Sequence, residues 1–198
     1  MGGELCRVWS DEVDRWLAEL LDAAIPGGPD AGNIALVACG GYGRRELSLQ
    51  SDIDVVLLHS GRHDDIGAVA DRVWYPIWDR GLKLGHSVRT VKEALALAAD
   101  DLDTATSLLD VRHLAGDRSL TEELAGKATL QWRKRAKRWL ATMARRVRDR
   151  QAQAGEVAFL LEPDLKEGRG GLRDVQALRW AQAARTILWE ADGASLDA

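Results

Sequence analysis

The residues with the clearest chemical potential are two closely spaced aspartates, Asp52 and Asp54, followed by an apolar run. An apolar run of this kind is typical of a buried strand, and because side chains alternate across a strand, both carboxylates should share one face. Mg²⁺ takes oxygen ligands and usually combines one or two carboxylates with substrate phosphates. An Asp-x-Asp at a strand start is, by itself, more often a solvated strand end, so its surroundings decide its meaning.

A glycine pair, Gly40 and Gly41, follows another apolar run at residues 34–39. Glycine lets a backbone approach a phosphate closely, and a short helix starting near Tyr42 would direct its N–H groups at an anion. Arg44 adds positive charge, and Ser51 could donate to a phosphate oxygen or simply cap the turn. A glycine pair is usually only a turn. However, a strand, a glycine pair and then Asp-x-Asp in a new strand is much rarer by chance, and it predicts phosphate handling with a divalent metal.

Two other phosphate-binding motifs are excluded. The segment that begins at Gly41 half-matches the dinucleotide fingerprint G-x-G-x-x-G, but Glu46 occupies the third glycine position. The next strand also follows too soon for the crossover helix of a Rossmann unit. No G-x-x-x-x-G-K-[ST] sequence is present.

The composition narrows the class of protein. The chain has 198 residues, 46% of them hydrophobic, which is enough for one domain with a core or for a domain with an appendage. The formal net charge of −4 argues against a general nucleic-acid binder. Cys6 and Cys39 have neither a metal-binding spacing nor the pattern of a disulfide framework. Without a signal peptide or an apolar run of about 20 residues, we expect a cytoplasmic protein with no membrane partner.

The periodicity of the apolar residues predicts strands near the start of the chain and mostly helices later. Strands are predicted at 34–39, 52–58 and 83–89. Helices are predicted at 8–25, 64–78, 101–109, 119–154 and 175–190, and an Ala/Leu-rich helix is predicted to follow Thr90. Thr90 and Glu93 form a capping box, Pro76 should kink or break its helix, and residues 110–116 could be either helix or strand. We expect an N-terminal helix and linker (1–33), an α+β domain (34–116) and a helical segment (117–198) with a glycine-rich charged loop at 162–174.

Several separated blocks of the sequence resemble one family in the right order. They are GGYGRREL (40–47), SDIDVVLL (51–58), WYPIWD (74–79), KLGHSVRT (83–90), residues 107–117 and LEPDLKEGRGGLRD (161–174). The first two blocks resemble the signature of the DNA-polymerase-β-like nucleotidyltransferases. All of them together resemble the N-terminal nucleotidyltransferase domain of the bifunctional uridylyltransferase/uridylyl-removing enzymes, which modify the nitrogen-signalling protein PII. The sequence departs from that family at Arg45, where glycine is usual.

The resemblance implies an α+β fold: a polymerase-β-like palm, which is a small mixed sheet with helices on one face, followed by a helical segment. Gly40 and Gly41 would then bind a triphosphate, and Asp52 and Asp54 would hold Mg²⁺. Asp110 is the best candidate for a third catalytic carboxylate.

The charged loop at 162–174 is expected to fold back, so that Lys166 and Arg173 contact the nucleotide. A structural loop in which Arg173 and Asp174 pair with neighbours is the rival interpretation.

The implied function is metal-dependent transfer of UMP or AMP from UTP or ATP to a tyrosine of PII, with release of pyrophosphate. The alternatives are a non-catalytic module that binds nucleotide or PII, and a nucleotidyltransferase with a different acceptor. No nucleic-acid partner is expected.

Overall fold

The computed structural model describes residues 2–25, 33–61, 65–154 and 164–193, with side chains as far as residue 184. The chain divides into two compact units, Met1–Ala128 and Thr129–Ala198. Within the described ranges, no helix is long and apolar enough to cross a membrane.

The first unit is built on a four-stranded mixed sheet. Its strands are β1 (Ile34–Ala38), β2 (Ile53–His59), β3 (Leu84–Arg89) and β4 (Arg112–Gly116), in the order β3-β2-β1-β4. β1 is antiparallel to both β2 and β4, whereas β2 and β3 are parallel. The predicted small mixed sheet is therefore confirmed, and the segment left open between helix and strand contains β4.

Six helices begin in the described part of this unit. They are α1 (Gly2–Ala24), α2 (Gly40–Gly43), α3 (Ile66–Asp79), α4 (Val91–Ala98), α5 (Leu102–Leu109) and α6 (Arg118–Lys134). The predicted capping box of α4 is present, with Thr90 and Glu93 each accepting from the other's backbone N–H. The Asp101 carboxylate accepts from the Thr104 N–H and caps α5. Pro76 lies inside α3, which continues to Asp79, so this proline does not break the helix.

Helices cover both faces of the sheet. Alternate residues of β1 and β2, including Leu36 and Leu57, pack into one core with Leu17 of α1 and Val73 of α3. The opposite face carries Asp54 and Val56, which line a pocket with residues of α4 and α5. The expectation of helices on one face was wrong. Apart from Asp54 and the last residue, His59, β2 is apolar on both faces, and apolar surface on either side is stabilised by burial.

The second unit is helical in the part that the structure describes. Its helices include α7 (Ala136–Ala154) and α8 (Leu172–Gly193). The single helix predicted at 119–154 is instead divided at Arg135, a turn residue between α6 and α7. Trp132 and Trp139 flank this turn and stack with ring centroids 6.2 Å apart. The division of the chain into two units falls between Ala128 and Thr129, within α6. The sequence suggested a boundary between residues 116 and 117.

Candidate active site

The predicted glycine turn connects β1 to β2 and brings its first glycine close to Asp54. Gly40 has a φ of +55°, a left-handed conformation that favours glycine. A Cβ atom at Gly40 would lie 3.5 Å from the Ser107 Oγ and 3.8 Å from the Asp54 Oδ2. The turn therefore places backbone, a hydroxyl and a carboxylate around one small space. The short helix α2 begins at Gly40, slightly earlier than predicted.

The two aspartates lie at the start of β2, as predicted, and both are exposed. Ile53 and Val55 are each only 2% exposed and face the core, which fixes the register of the strand. Asp54 pairs with Gly85 of β3, and a Cβ atom at Gly85 would overlap the Asp54 Oδ1. Gly85 thus makes room for this carboxylate. Sequence reasoning did not name it as a site residue, although it lies in the quoted block KLGHSVRT.

Asp110, the candidate third carboxylate, is the C-cap residue of α5 and binds Arg44. The Arg44 Nη1 donates to the Asp110 Oδ2 at 2.6 Å, and the Arg44 Nε donates to Glu46 at 2.8 Å. Burial alone would lower the pKa of Arg44, but the hydrogen bonds to Asp110 and Glu46 outweigh it and raise that pKa. Among the described residues, no group of three or more His, Cys, Asp or Glu side chains is arranged to hold a metal. The catalytic role of Asp110 and the nucleotide contact of Arg44 stay predictions.

Arg112, at the start of β4, forms hydrogen bonds to the backbone of the glycine turn. This residue was not identified from the sequence. It donates to the backbone carbonyls of Tyr42 and Gly43, each at 3.0 Å. It also forms an ion pair with Asp14 of α1, which accepts a 2.6 Å hydrogen bond from the Tyr42 hydroxyl. The Arg112 and Asp14 side chains are only 19% and 17% exposed. The helix α2 is therefore fixed between α1 and β4.

Cys39 and Ser107 line the same pocket as Asp54. Cys39 is only 3% exposed. Burial, with the charges of Asp54 and Asp110, raises the pKa of the Cys39 thiol to about 12, against the opposing effect of a hydrogen bond from Ser107. The thiol stays protonated near neutral pH, and it is the thiolate that acts as a nucleophile. Ser107, by contrast, presents a hydroxyl beside Asp54.

An open pocket of about 380 Å³ extends from Asp54 between the β2–β3 pair and the helices α4 and α5. Its lining combines apolar side chains with a few polar and charged ones. They are Cys39, Asp54, Val55, Val56, Gly85, His86, Ser87, Arg89, Ala94, Leu97, Asp103, Thr104, Ser107 and Leu108. A concave, largely apolar pocket with a few converging polar groups is the usual form of a small-molecule site.

Ser51 caps its own turn. The Ser51 and Ser48 hydroxyl oxygens are 2.7 Å apart, and the Ser51 Oγ accepts from the Ser48 N–H at 3.4 Å. This is the simpler of the two predicted roles. Contact between Ser51 and a phosphate stays a prediction.

The glycine-rich loop belongs to the second unit and is described from residue 164. Arg173 pairs with Glu167 at 3.2 Å, and Asp174 pairs with Arg150. Burial alone would raise the pKa of Asp174, but hydrogen bonds from the Gly170 N–H and Gln151, with the charge of Arg150, lower it. Arg173 and Asp174 therefore pair with neighbours, as the rival interpretation of a structural loop expects. Nucleotide contacts by Arg173 and by the exposed Lys166 stay predictions.

Comparison with known proteins gives strong matches to one family. The family described as GlnD PII-uridylyltransferase matches residues 138–195. The chain is 48% identical over 187 residues to a bifunctional uridylyltransferase/uridylyl-removing enzyme of Streptomyces coelicolor, and 46% identical over 184 residues to one of Mycobacterium tuberculosis. The alignments cover 94% and 92% of this chain, and 22% of each relative. A Bradyrhizobium enzyme with the same description is 36% identical, over 89% of this chain and 19% of its own length.

Among solved structures, a toxin–antitoxin crystal structure with AMP-PNP aligns with 63% of this chain and 91% of its own, at 17% identity and a TM-score of 0.39. The curated relatives match this chain at 36–48% identity and over 89–94% of its length. The chain spans about a fifth of the length of the curated relatives it matches, and these matches cover nearly all of its own length. It therefore belongs to the family of the bifunctional uridylyltransferase/uridylyl-removing enzymes, as a nucleotidyltransferase domain.

Proposed function

We propose that the chain transfers a nucleotidyl group from a nucleoside triphosphate to a tyrosine hydroxyl of the PII signalling protein, in the cytoplasm. The arrangement of Asp54 between Gly40 and Gly85 is the observation that carries this proposal. It combines an exposed carboxylate that lines an open pocket with backbone that a phosphate could approach. The descriptions of the relatives as uridylyltransferases support the same reaction class.

In the proposed reaction, the tyrosine oxygen bonds to the α-phosphorus of the triphosphate while the bond from that phosphorus to pyrophosphate breaks. The hydroxyl proton passes to solvent. The backbone at Gly40 and Gly41 orients the phosphates, and the Ser107 hydroxyl donates to one of their oxygens.

Mg²⁺ fits the donor set of this site. Asp52 directly precedes β2 and Asp54 is its second residue. Their carboxylates offer hard oxygens, and both side chains are exposed. These two residues would hold the ion, with phosphate oxygens completing its shell. When bound, the ion would withdraw charge from the triphosphate. The metal dependence of the reaction is part of the proposal.

The test is to incubate the chain with PII, Mg²⁺ and either UTP or ATP, and to weigh PII by mass spectrometry. We expect PII to gain one nucleotidyl group, and we expect the double variant Asp52→Asn/Asp54→Asn to abolish the gain. Asp71→Asn, an exposed change on α3, is the matched control and should leave the gain intact.

Unchanged transfer by the double variant would overturn the assignment of the two aspartates. If the chain bound nucleotide without releasing pyrophosphate or altering PII, the non-catalytic module would be supported instead. Pyrophosphate release without any change in the mass of PII would point to a different acceptor.

A further inference from the structure

We propose that the outer edge of β3 binds an extended segment of the acceptor protein as an additional strand, and that this segment carries the tyrosine that is modified. This inference rests on the proposed function and deepens it, because it names the surface that takes the acceptor. In the strand order β3-β2-β1-β4, β3 is a terminal strand beside the strand that carries Asp54. The unpaired backbone groups of such a strand are a template for a further strand.

Three residues of β3 direct their backbone groups away from the sheet. The Ile53 N–H donates to the Lys83 carbonyl at 2.9 Å, and the register pairs Ile53 with Leu84. Since hydrogen-bonding groups alternate between the two sides of a strand, every second residue of β3 bonds to β2. The N–H and carbonyl groups that point outward belong to Leu84, His86 and Val88. Within the described ranges, β2 is the only strand that pairs with β3.

An added strand would bring a tyrosine to Asp54 across Gly85. Neighbouring strands are about 4.8 Å apart, so the added strand would run about 10 Å from β2. Its residue level with Gly85 would share a face with Asp54, which pairs with Gly85. Gly85 has no side chain to fill the space between them. A tyrosine hydroxyl would therefore reach a phosphate held at Asp54, whereas the shorter side chain of a serine would not.

The other face of the added strand would meet an exposed aromatic surface, formed by Tyr75, Trp78 and His86. The Trp78 and His86 rings meet edge-on with centroids 5.3 Å apart, and Tyr75 lies edge-on to Trp78 at 5.5 Å. Tyr75 and Trp78 are 57% and 42% exposed, and His86 is exposed as well. Aromatic side chains are enriched at protein interfaces. Backbone pairing together with separate contacts for alternate side chains is the usual form of recognition by strand addition.

The charges at the two ends of β3 argue against a second copy of this chain as the occupant. Lys83 directly precedes the strand, and Arg89 is its last residue. Two copies that paired antiparallel along the whole strand would place Lys83 opposite Arg89 at both ends. Like charges directly opposite each other on paired strands are destabilising. A segment of a different protein avoids this repulsion, above all where it carries carboxylates at these positions.

Amide hydrogen exchange, followed by NMR on the 198-residue chain, tests this edge directly. The partner is a PII variant with phenylalanine in place of its acceptor tyrosine, which cannot be modified. We expect exchange at Leu84, His86 and Val88 to slow by about ten-fold or more when this PII binds, because pairing protects these N–H groups from water. The chain alone, over a range of concentrations, gives the baseline.

Variants of the edge separate the contribution of its backbone from that of its side chains. His86→Pro removes an outward N–H, and proline is tolerated on an edge strand where the N–H faces solvent. His86→Ala removes the ring but keeps that N–H, and Tyr75→Ala removes part of the aromatic surface. The matched control is Leu5→Ala on α1, because Leu5 and Tyr75 are both 57% exposed. Circular dichroism checks that each variant is folded.

Steady-state kinetics with unmodified PII measure the effect of each variant. We expect His86→Pro to raise the KM for PII by about ten-fold, and His86→Ala and Tyr75→Ala to raise it by about three-fold each. Leu5→Ala should leave it unchanged. Calorimetry should show that Tyr75→Ala binds the transferred nucleotide as the unchanged chain does. A PII variant with serine in place of the acceptor tyrosine should not be modified, since its hydroxyl falls short of the phosphate.

Binding of PII without slower exchange at the three outward amides would overturn the inference and leave the proposed function intact. Equal KM values for PII in the unchanged chain, Tyr75→Ala and a folded His86→Pro would do the same. If His86→Pro did not fold, the exchange rates and Tyr75→Ala would decide. Slower exchange in the chain alone as its concentration rises would assign the edge to a second copy and overturn the inference. If the unchanged chain did not modify PII at all, the proposed function would fail, and this inference with it.

Discussion

At the scale of single residues, the backbone of Arg45 holds an unusual conformation just after the glycine turn. Its φ is +60°, which costs a residue with a side chain about 1–2 kcal/mol relative to glycine. Its guanidinium pairs with Asp11, but both side chains are nearly half exposed, and such pairs contribute about 0–1 kcal/mol. The left-handed backbone explains physically why glycine suits this position.

We therefore expect the variants Arg45→Gly and Arg45→Val to differ in stability. Arg45→Gly should stay within about 1 kcal/mol of the unchanged chain, because relief of the backbone offsets the lost ion pair and the greater freedom of the unfolded chain. Arg45→Val should be destabilised by about 1–2 kcal/mol, since a β-branched residue strongly disfavours a positive φ. Urea denaturation measures both. Equal stability of the two variants would contradict the role given to the backbone.

Gly85 gives a second prediction at this scale. In the variant Gly85→Ala, the new Cβ would overlap the Asp54 carboxylate, which must then move. We expect nucleotidyl transfer to fall by about ten-fold or more, because displacement of a positioned group by about 1 Å can cost far more than that. The midpoint of thermal unfolding should change little, since the displaced carboxylate is exposed. Gly67→Ala, where a Cβ meets nothing within 4 Å, is the control and should keep full activity.

At the scale of elements, the sequence predicted the strands, turns and helix caps, which depend on residues close together in the chain. The strand, glycine turn and second strand follow from apolar runs, and the capping box from Thr90 and Glu93. The sequence contains no comparable signal for contacts between elements that are far apart in the chain. Arg112 and Asp14 are 98 residues apart, and nothing in either segment marks them as partners. The division at Arg135 was missed for a similar reason, since the apolar stripe continues through it and only the packing of Trp132 against Trp139 reveals the turn.

The ion pair between β4 and α1 can be tested directly. Arg112→Met should destabilise the chain by about 2–4 kcal/mol, because it leaves Asp14 mostly buried without its cation and removes donors from two backbone carbonyls. It should also raise the KM for the nucleotide, because α2 loses the hydrogen bonds that Arg112 donates to its backbone. The double variant Arg112→Met/Asp14→Leu should recover part of the stability, but not the KM. Unfolding in urea and steady-state kinetics separate the two effects.

Recovery of both quantities in the double variant would argue against a positioning role for Arg112. In that case, the pair would act only through stability.

At the scale of the whole molecule, the resemblance of several sequence blocks in the same order predicted the family, which the comparisons confirmed. The extent of the compact units was harder to predict. The first unit runs to Ala128 and includes α1, which packs on β4 and α3, so the N-terminal helix is part of the sheet domain's core. Hydrophobic periodicity identifies an amphipathic helix, but it does not specify the surface that the helix covers.

The strand order has a consequence for how the molecule folds. β1 pairs with β2, which is near in sequence, and with β4, which is far away and carries the arginine that holds the glycine turn. Closing a long loop costs more chain entropy than closing a short one, so β4 should dock late. During refolding, burial of Trp74 should therefore precede the recovery of nucleotide binding, and stopped-flow fluorescence with a labelled nucleotide would measure the delay. A newly synthesised chain would then pass through a stage in which most of its core exists but its ligand cannot yet bind.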